Sequence, residues 1–279
     1  MRSILYHRLS GTIRARTWPA LAVALSFGIG ACDSTGAGPE APGAPPELPP
    51  ASSMAVDFSL FGSGGGADVG FETRLHFTTA AVSVGLAQLA TVLHLAVPTA
   101  VFAAAANNTP SFEEDGRWHW RYTASDAGQL WTAHLSGSVV GSEVVWDMRI
   151  TSPQHSPALD EFLWYGGSSR TDRSRGNWYF NDPARAPSAV QLATLDWTHE
   201  SAFIHGVTIT ATGGPGAGDI LTADHNGSER LVTWSDASTG GTVEISWDVS
   251  TGAGYIIATN YNGGVKSCWD GLQNDVPCV

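Results

Sequence analysis

Charge is scarce in this sequence. Asp, Glu, Lys and Arg make up 14% of its 279 residues, and only 14 residues are Lys or Arg. The formal charge of −12 repels phosphate backbones and anionic lipid surfaces, which argues against nucleic acid as a partner. Catalytic signatures are also missing: there is no Gly-x-Ser-x-Gly elbow, no His-Glu-x-x-His helix and no phosphate-cradling Gly-x-x-x-x-Gly-Lys. Gly62-Ser-Gly-Gly-Gly66 has neither the lysine nor the strand-to-helix setting, and reads as a loop. Asp160-Glu161 and His199-Glu200 supply carboxylates, but neighbours on a strand point to opposite faces and form no working pair. The one enzymatic alternative left is a hydrolase, such as a glycosidase, assembled from carboxylates distant in sequence. No cofactor or metal is implied, and the balance leans to a non-enzymatic protein.

What is plentiful points the other way from a helical bundle. Gly (32) and Trp (11) are abundant and 43% of residues are hydrophobic, a mix that favours strands, tight turns and aromatic packing between strands around a sizeable core.

Cysteine is rare, at three residues, and each one is informative. Arg14 and Arg16 precede a short apolar run, Trp18 to Ala31, that has the basic start and small-residue exit of a secretory signal and is short for a membrane span. The exit, Ile29-Gly30-Ala31-Cys32, resembles the bacterial lipobox, in which the cysteine is diacylated through its thiol before cleavage. An ordinary signal with an incidental Cys32 is the alternative. Arg2, Arg8, Arg14 and Arg16 precede Cys32 and no acid does, so losing those four arginines takes the formal charge from −12 to −16. Asp33 to about Ser53 is rich in Pro, Gly and Ala and reads as a semi-extended tether. Cys268 and Cys278, ten apart in an exported chain, read as a disulfide, with metal binding the weaker alternative. The expected organisation is a lipoprotein signal peptide over 1–31, a tether over 32–53 and one β-rich domain over 54–279. The expected address is the cell envelope, anchored through Cys32, with the choice of inner or outer membrane left open by Asp33.

Residues 78–105 are almost continuously apolar, broken by Gln88, His94 and Pro98. The alanine content, the proline and the lack of flanking Lys or Arg favour buried helices over a span, with Pro98 dividing two short ones. These helices would fill the concave side of a sheet, or wall an apolar ligand cavity. From Arg117 onward, short alternating runs are separated by turn residues at Gly141-Ser142, Gly166-Gly167, Asn226-Gly227, Gly240-Gly241 and Gly263-Gly264. The Trp-Asp pairs lack the blade-length period of a propeller. The expected fold is mainly β: a large meandering antiparallel sheet, curled as a half-barrel or open barrel and packed on one or two apolar helices.

Trp118-x-Trp120-x-Tyr122, Leu135-Ser-Gly137, Trp146-Asp-Met148 and Phe162-Leu-Trp164-Tyr-Gly166 resemble the strands of a set of bacterial lipoproteins of unknown function with an aromatic-rich antiparallel sheet. The resemblance spans about residues 54–260. It implies the fold and the envelope address, and no reaction.

A two-residue turn at Gly141-Ser142 sets Leu135 opposite Met148, Gly137 opposite Trp146 and Val139 opposite Val144. Pairing Thr123 with Leu130 on the preceding strand then sends Arg117, His119, Arg121, His134 and Arg149 to the other face, with His119 across from His134. Such a patch could bind a carboxylate, phosphate or sulfate, or supply half of a metal site. The alternative is the solvated face of a half-buried sheet, its arginines offset by Asp147 or other acids. The function these features suggest is a non-enzymatic binding or carrier module for an apolar ligand or an envelope partner, with a structural envelope lipoprotein as the alternative.

Overall fold

The computed structural model describes residues 39–62, 73–84, 102–126, 129–214 and 216–278. The signal segment, Cys32 and residues 85–101, with Gln88, His94 and Pro98, lie outside the described residues. Fourteen strands follow one another in a single antiparallel meander. They are β1 (Ser111–Phe112), β2 (Trp118–Asp126), β3 (Gln129–Val140), β4 (Glu143–Ser152), β5 (Leu159–Arg170), β6 (Arg175–Asn181) and β7 (Gln191–Ser201), then β8 (Ile204–Ala211), β9 (Ile220–Asn226), β10 (Glu229–Ser235), β11 (Thr242–Asp248), β12 (Gly254–Ala258), β13 (Ser267–Trp269) and β14 (Asp275–Val276). The order runs from β1 to β14 without closure, so the expected mainly-β, open architecture holds.

Alternation writes the two faces. In β4, Val144, Trp146, Met148 and Ile150 are buried, while Glu143 and Val145 are exposed and Asp147 and Arg149 half-buried. The β3–β4 hairpin takes the expected register, with Gly141 (φ 63°) at the first central position of its two-residue turn. The β2–β3 register differs from the expected one. Trp118 faces Gly137, and His119 faces Ser136 rather than His134. The ladder runs on to Asp126 and Gln129, which moves the pairing by two residues. An even shift leaves every side chain on its face.

Gly166-Gly167, expected as a turn, lies inside β5. Gly167 is paired with Trp146 on one side and Trp178 on the other. A Cβ at Gly137 would sit 2.6 Å from the Trp146 indole, and one at Gly176 2.6 Å from the Trp197 indole. Gly254 carries the Trp269 ring in the same way. These three glycine–tryptophan pairs are one device: each of the three indoles lies against a glycine in the neighbouring strand, covering backbone that glycine leaves bare.

The apolar face is covered by the chain that precedes the sheet. Phe61 meets Trp247 edge-on at 5.0 Å, Phe77 meets Trp269 at 5.7 Å and Phe102 meets Trp178 at 5.5 Å. Residues 75–84 are helical and bury Phe77, Ala80 and Val84 on one stripe; residues 102–105 are helical and bury Phe102 and Ala105. Asp275, from β14, accepts hydrogen bonds from the backbone N–H groups of Leu75 and His76 at 3.1 and 2.9 Å, capping the start of the first helix. No helix among the described residues is long and apolar enough to cross a membrane. A disulfide joins Cys268 to Cys278, Cα atoms 5.3 Å apart, across the last hairpin.

The end of the expected tether does not stand free. Leu48 packs on the core, Pro49 and Ser53 are buried, and Glu47 pairs with Arg173 at 2.9 Å. Prolines lose little entropy on ordering, so a few contacts suffice to lay this strap on the sheet.

Candidate functional site

The face opposite the core carries two features. Over β1–β5 lies the basic cluster expected from sequence, and the structure brings all five of its residues to that face together with acids. Arg117 pairs with Asp147 at 2.8 Å, Arg121 with Glu113, and Arg149 donates to the Glu161 backbone carbonyl at 2.9 Å. His119, 5% exposed, reaches diagonally across the shifted register to His134, with Nδ1 and Nε2 at 2.7 Å. Its other nitrogen lies 2.9 Å from Asp115, and His134 Nδ1 lies 3.2 Å from Glu161. The result is an Asp115–His119–His134–Glu161 hydrogen-bonded chain. The Arg121 guanidinium holds the Glu113 carboxyl below its usual range, and the hydrogen bond from His119 does the same for Asp115.

These pairings spend the attraction that an added anion would need. Asp147 was legible as a partner; Glu113, Asp115 and Glu161 were not. Glu161 joins through a register shift between Ile150 and Ser152 and a positive φ of 45°, which breaks the simple alternation assumed for Asp160-Glu161. No group of three or more His, Cys, Asp or Glu among the described residues is arranged to hold a metal.

The second feature is a groove of about 460 Å³ over β4–β9. Its floor is two transverse rows of paired residues: Ser168, Asn177, Asp196 and Thr208 in one, Arg175, Thr198, Gly206 and Asp224 in the other. Gly206 deepens the middle of the second row; a Cβ there would meet the Asp224 carboxylate. Glu143 and Arg170 form one end. Arg170 is engaged by Asp172 at 3.2 Å, and Asn177 bonds Ser168 at 3.3 Å. Glu143, Arg175, Asp196 and Asp224 make no side-chain hydrogen bond or ion pair among the described residues. Carboxylate acceptors, a five-donor guanidinium and threonine hydroxyls thus face one cavity with their capacity unspent.

Sequence reasoning missed this groove. The alternation in β6–β9 announces polar side chains on one face, but only the pairing of four strands puts Arg175, Asp196 and Asp224 around one space. The fold and groove define the class: an open antiparallel sheet with one apolar face, packed against the chain that precedes it, and one polar, grooved face. No known protein family, curated protein or solved structure matches the chain.

Proposed function

We propose that this protein is an exported lipoprotein, held to a membrane through Cys32, that works as a non-enzymatic binding module with its ligand site in the groove over β4–β9. The observation that carries the reading is the cluster of unspent donors and acceptors in that groove. Three carboxylates discourage an anion and two arginines discourage a cation, so the fitting ligand is neutral and rich in hydroxyl groups, a saccharide in chemical class. The packing of described residues on the apolar face supports a polar ligand over an apolar cargo. Trp146 and Met148 are fully buried, and the side chains of Phe61, Phe77 and Phe102 occupy the surface that a carrier would leave open.

The test is calorimetry of the full chain against a panel of neutral oligosaccharides. Saturable binding is expected for at least one, weakened tenfold or more by Asp196→Asn with Asp224→Asn and by Arg175→Ala, and unchanged by Arg121→Ala in the ion-paired cluster. Absence of binding across the panel, or binding indifferent to the groove substitutions, overturns the assignment.

A further inference from the structure

Three histidines occupy equivalent positions on three consecutive strands. His199 of β7 is paired with His205 of β8, and His205 with His225 of β9. They lie on the apolar face, in line with Trp197, Val207 and Ala223 two residues away along each strand. Ring centroids are 6.1 Å apart for the first pair and 4.1 Å for the second. His225 is 7% exposed. His205 Nδ1 is buried without a hydrogen-bond partner among the described residues. Arg230 of β10, paired with His225, continues the row.

The strap lies over this row. Ser52 Oγ is 3.3 Å from His199 Nδ1, and the 3-10 turn Ala51–Ser53 packs on β7 and β8. Asp57 pairs with Arg230 at 3.4 Å, and Met54 and Phe58 are buried beside them. Further toward the N-terminus, Glu47 is held by Arg173. Among the described residues, the charged or titratable groups facing the imidazoles are the other imidazoles, Arg230 and, from the strap, Asp57.

We infer that the histidine row is an acid-sensitive latch: neutral imidazoles let the strap, residues 47–58, lie closed on the sheet, and protonation of the row beside Arg230 drives it to open. The geometry supplies the reason. Closing the strap removes water from imidazoles that have, among the described residues, a guanidinium at one end of the row and a single carboxylate, already engaged by that guanidinium, in return. Burial first, then the His205 and Arg230 charges, hold the His225 imidazole down to about 4, and burial, His199 and Arg230 lower His205, with Asp57 opposing in both cases.

The direction follows from proton binding. The open strap leaves imidazoles near their ordinary value of about 6.5, so it binds more protons than the closed strap between about pH 6.5 and 4. Closure is fully favoured above that window and lost as pH falls through it. For His225 alone, a drop from pH 7 to 5 raises the open-to-closed ratio by up to roughly twentyfold. In a protein tethered as proposed above, opening adds up to about 40 Å of chain between domain and anchor. That consequence rests on the lipid anchor; the latch itself does not.

The experiment is hydrogen–deuterium exchange of the full chain in EDTA from pH 8 to 4.5, with rates corrected for intrinsic exchange. The probes are the Ser53 and Met54 amides, which bond to Pro50 and Ala51. Their protection is expected to fall about tenfold or more between pH 7 and 5 while β3 and β4 amides hold. His205→Gln with His225→Gln is expected to flatten that fall to under about threefold. Constant protection in the parent, an undiminished fall in the variant, or simultaneous loss in β3 and β4 overturns the latch. Should the variant not fold, histidine NMR titration of the parent decides: at least one imidazole must titrate well below 6, and ordinary titration of all of them refutes it.

Discussion

Placing a methyl group under one indole tests whether the glycine–tryptophan pairs organise the sheet. In Gly137→Ala the new Cβ would lie 2.6 Å from Trp146 Cζ3 and 2.9 Å from Cε3, inside any tolerable contact. Trp146 is fully buried and its Nε1 donates to Ser169 Oγ at 2.9 Å, so the ring cannot swing away without breaking that bond. Overpacking costs about 1–3 kcal/mol. Exchanging glycine for alanine returns about 0.4–1 kcal/mol through the unfolded chain. The net expectation is a loss of about 1 kcal/mol, or roughly 2–4 °C in Tm for a domain of this size. In a Trp146→Leu background the clash disappears, and Gly137→Ala is expected to be neutral or mildly stabilising. Urea denaturation of the four proteins gives a coupling energy of about 2 kcal/mol if the reasoning holds. Additivity within about 0.5 kcal/mol would refute it, because the alanine would then be disfavoured by backbone preference and not by the indole.

Asp275→Ala removes the carboxylate that caps residues 75 and 76 from the last strand, and is expected to lower stability by about 1 kcal/mol in thermal unfolding, with Asp275→Asn recovering part of it. Cys32→Ser is expected to move the protein from the membrane fraction to the soluble fraction; retention would return attention to residues 78–105 as an anchor.

Alternation and most turn residues are local features, and they were legible. The β3–β4 register followed from Gly141-Ser142 because a two-residue turn leaves one pairing. The β2–β3 register did not, since the alternating run itself does not say where the ladder ends, and period-two patterns allow shifts by two at no cost in facing. Gly166-Gly167 misled because glycine is as much a site of close approach as of turning. Only the neighbouring strands, with Trp146 and Trp178, decide between the two.

By itself the sequence determined a mainly-β chain with one apolar and one polar face, a buried helical segment before it and a disulfide at its end. Tertiary structure alone decided which polar residues meet. The acids that neutralise Arg121, His119 and His134 come from the segment between β1 and β2 and from a bulge in β5. Arg175, Asp196 and Asp224 come from β6, β7 and β9, and His199, His205 and His225 from β7, β8 and β9. The physical reason is that local propensity acts over a few residues, whereas the partners across a sheet are set by how far each hairpin runs before it turns.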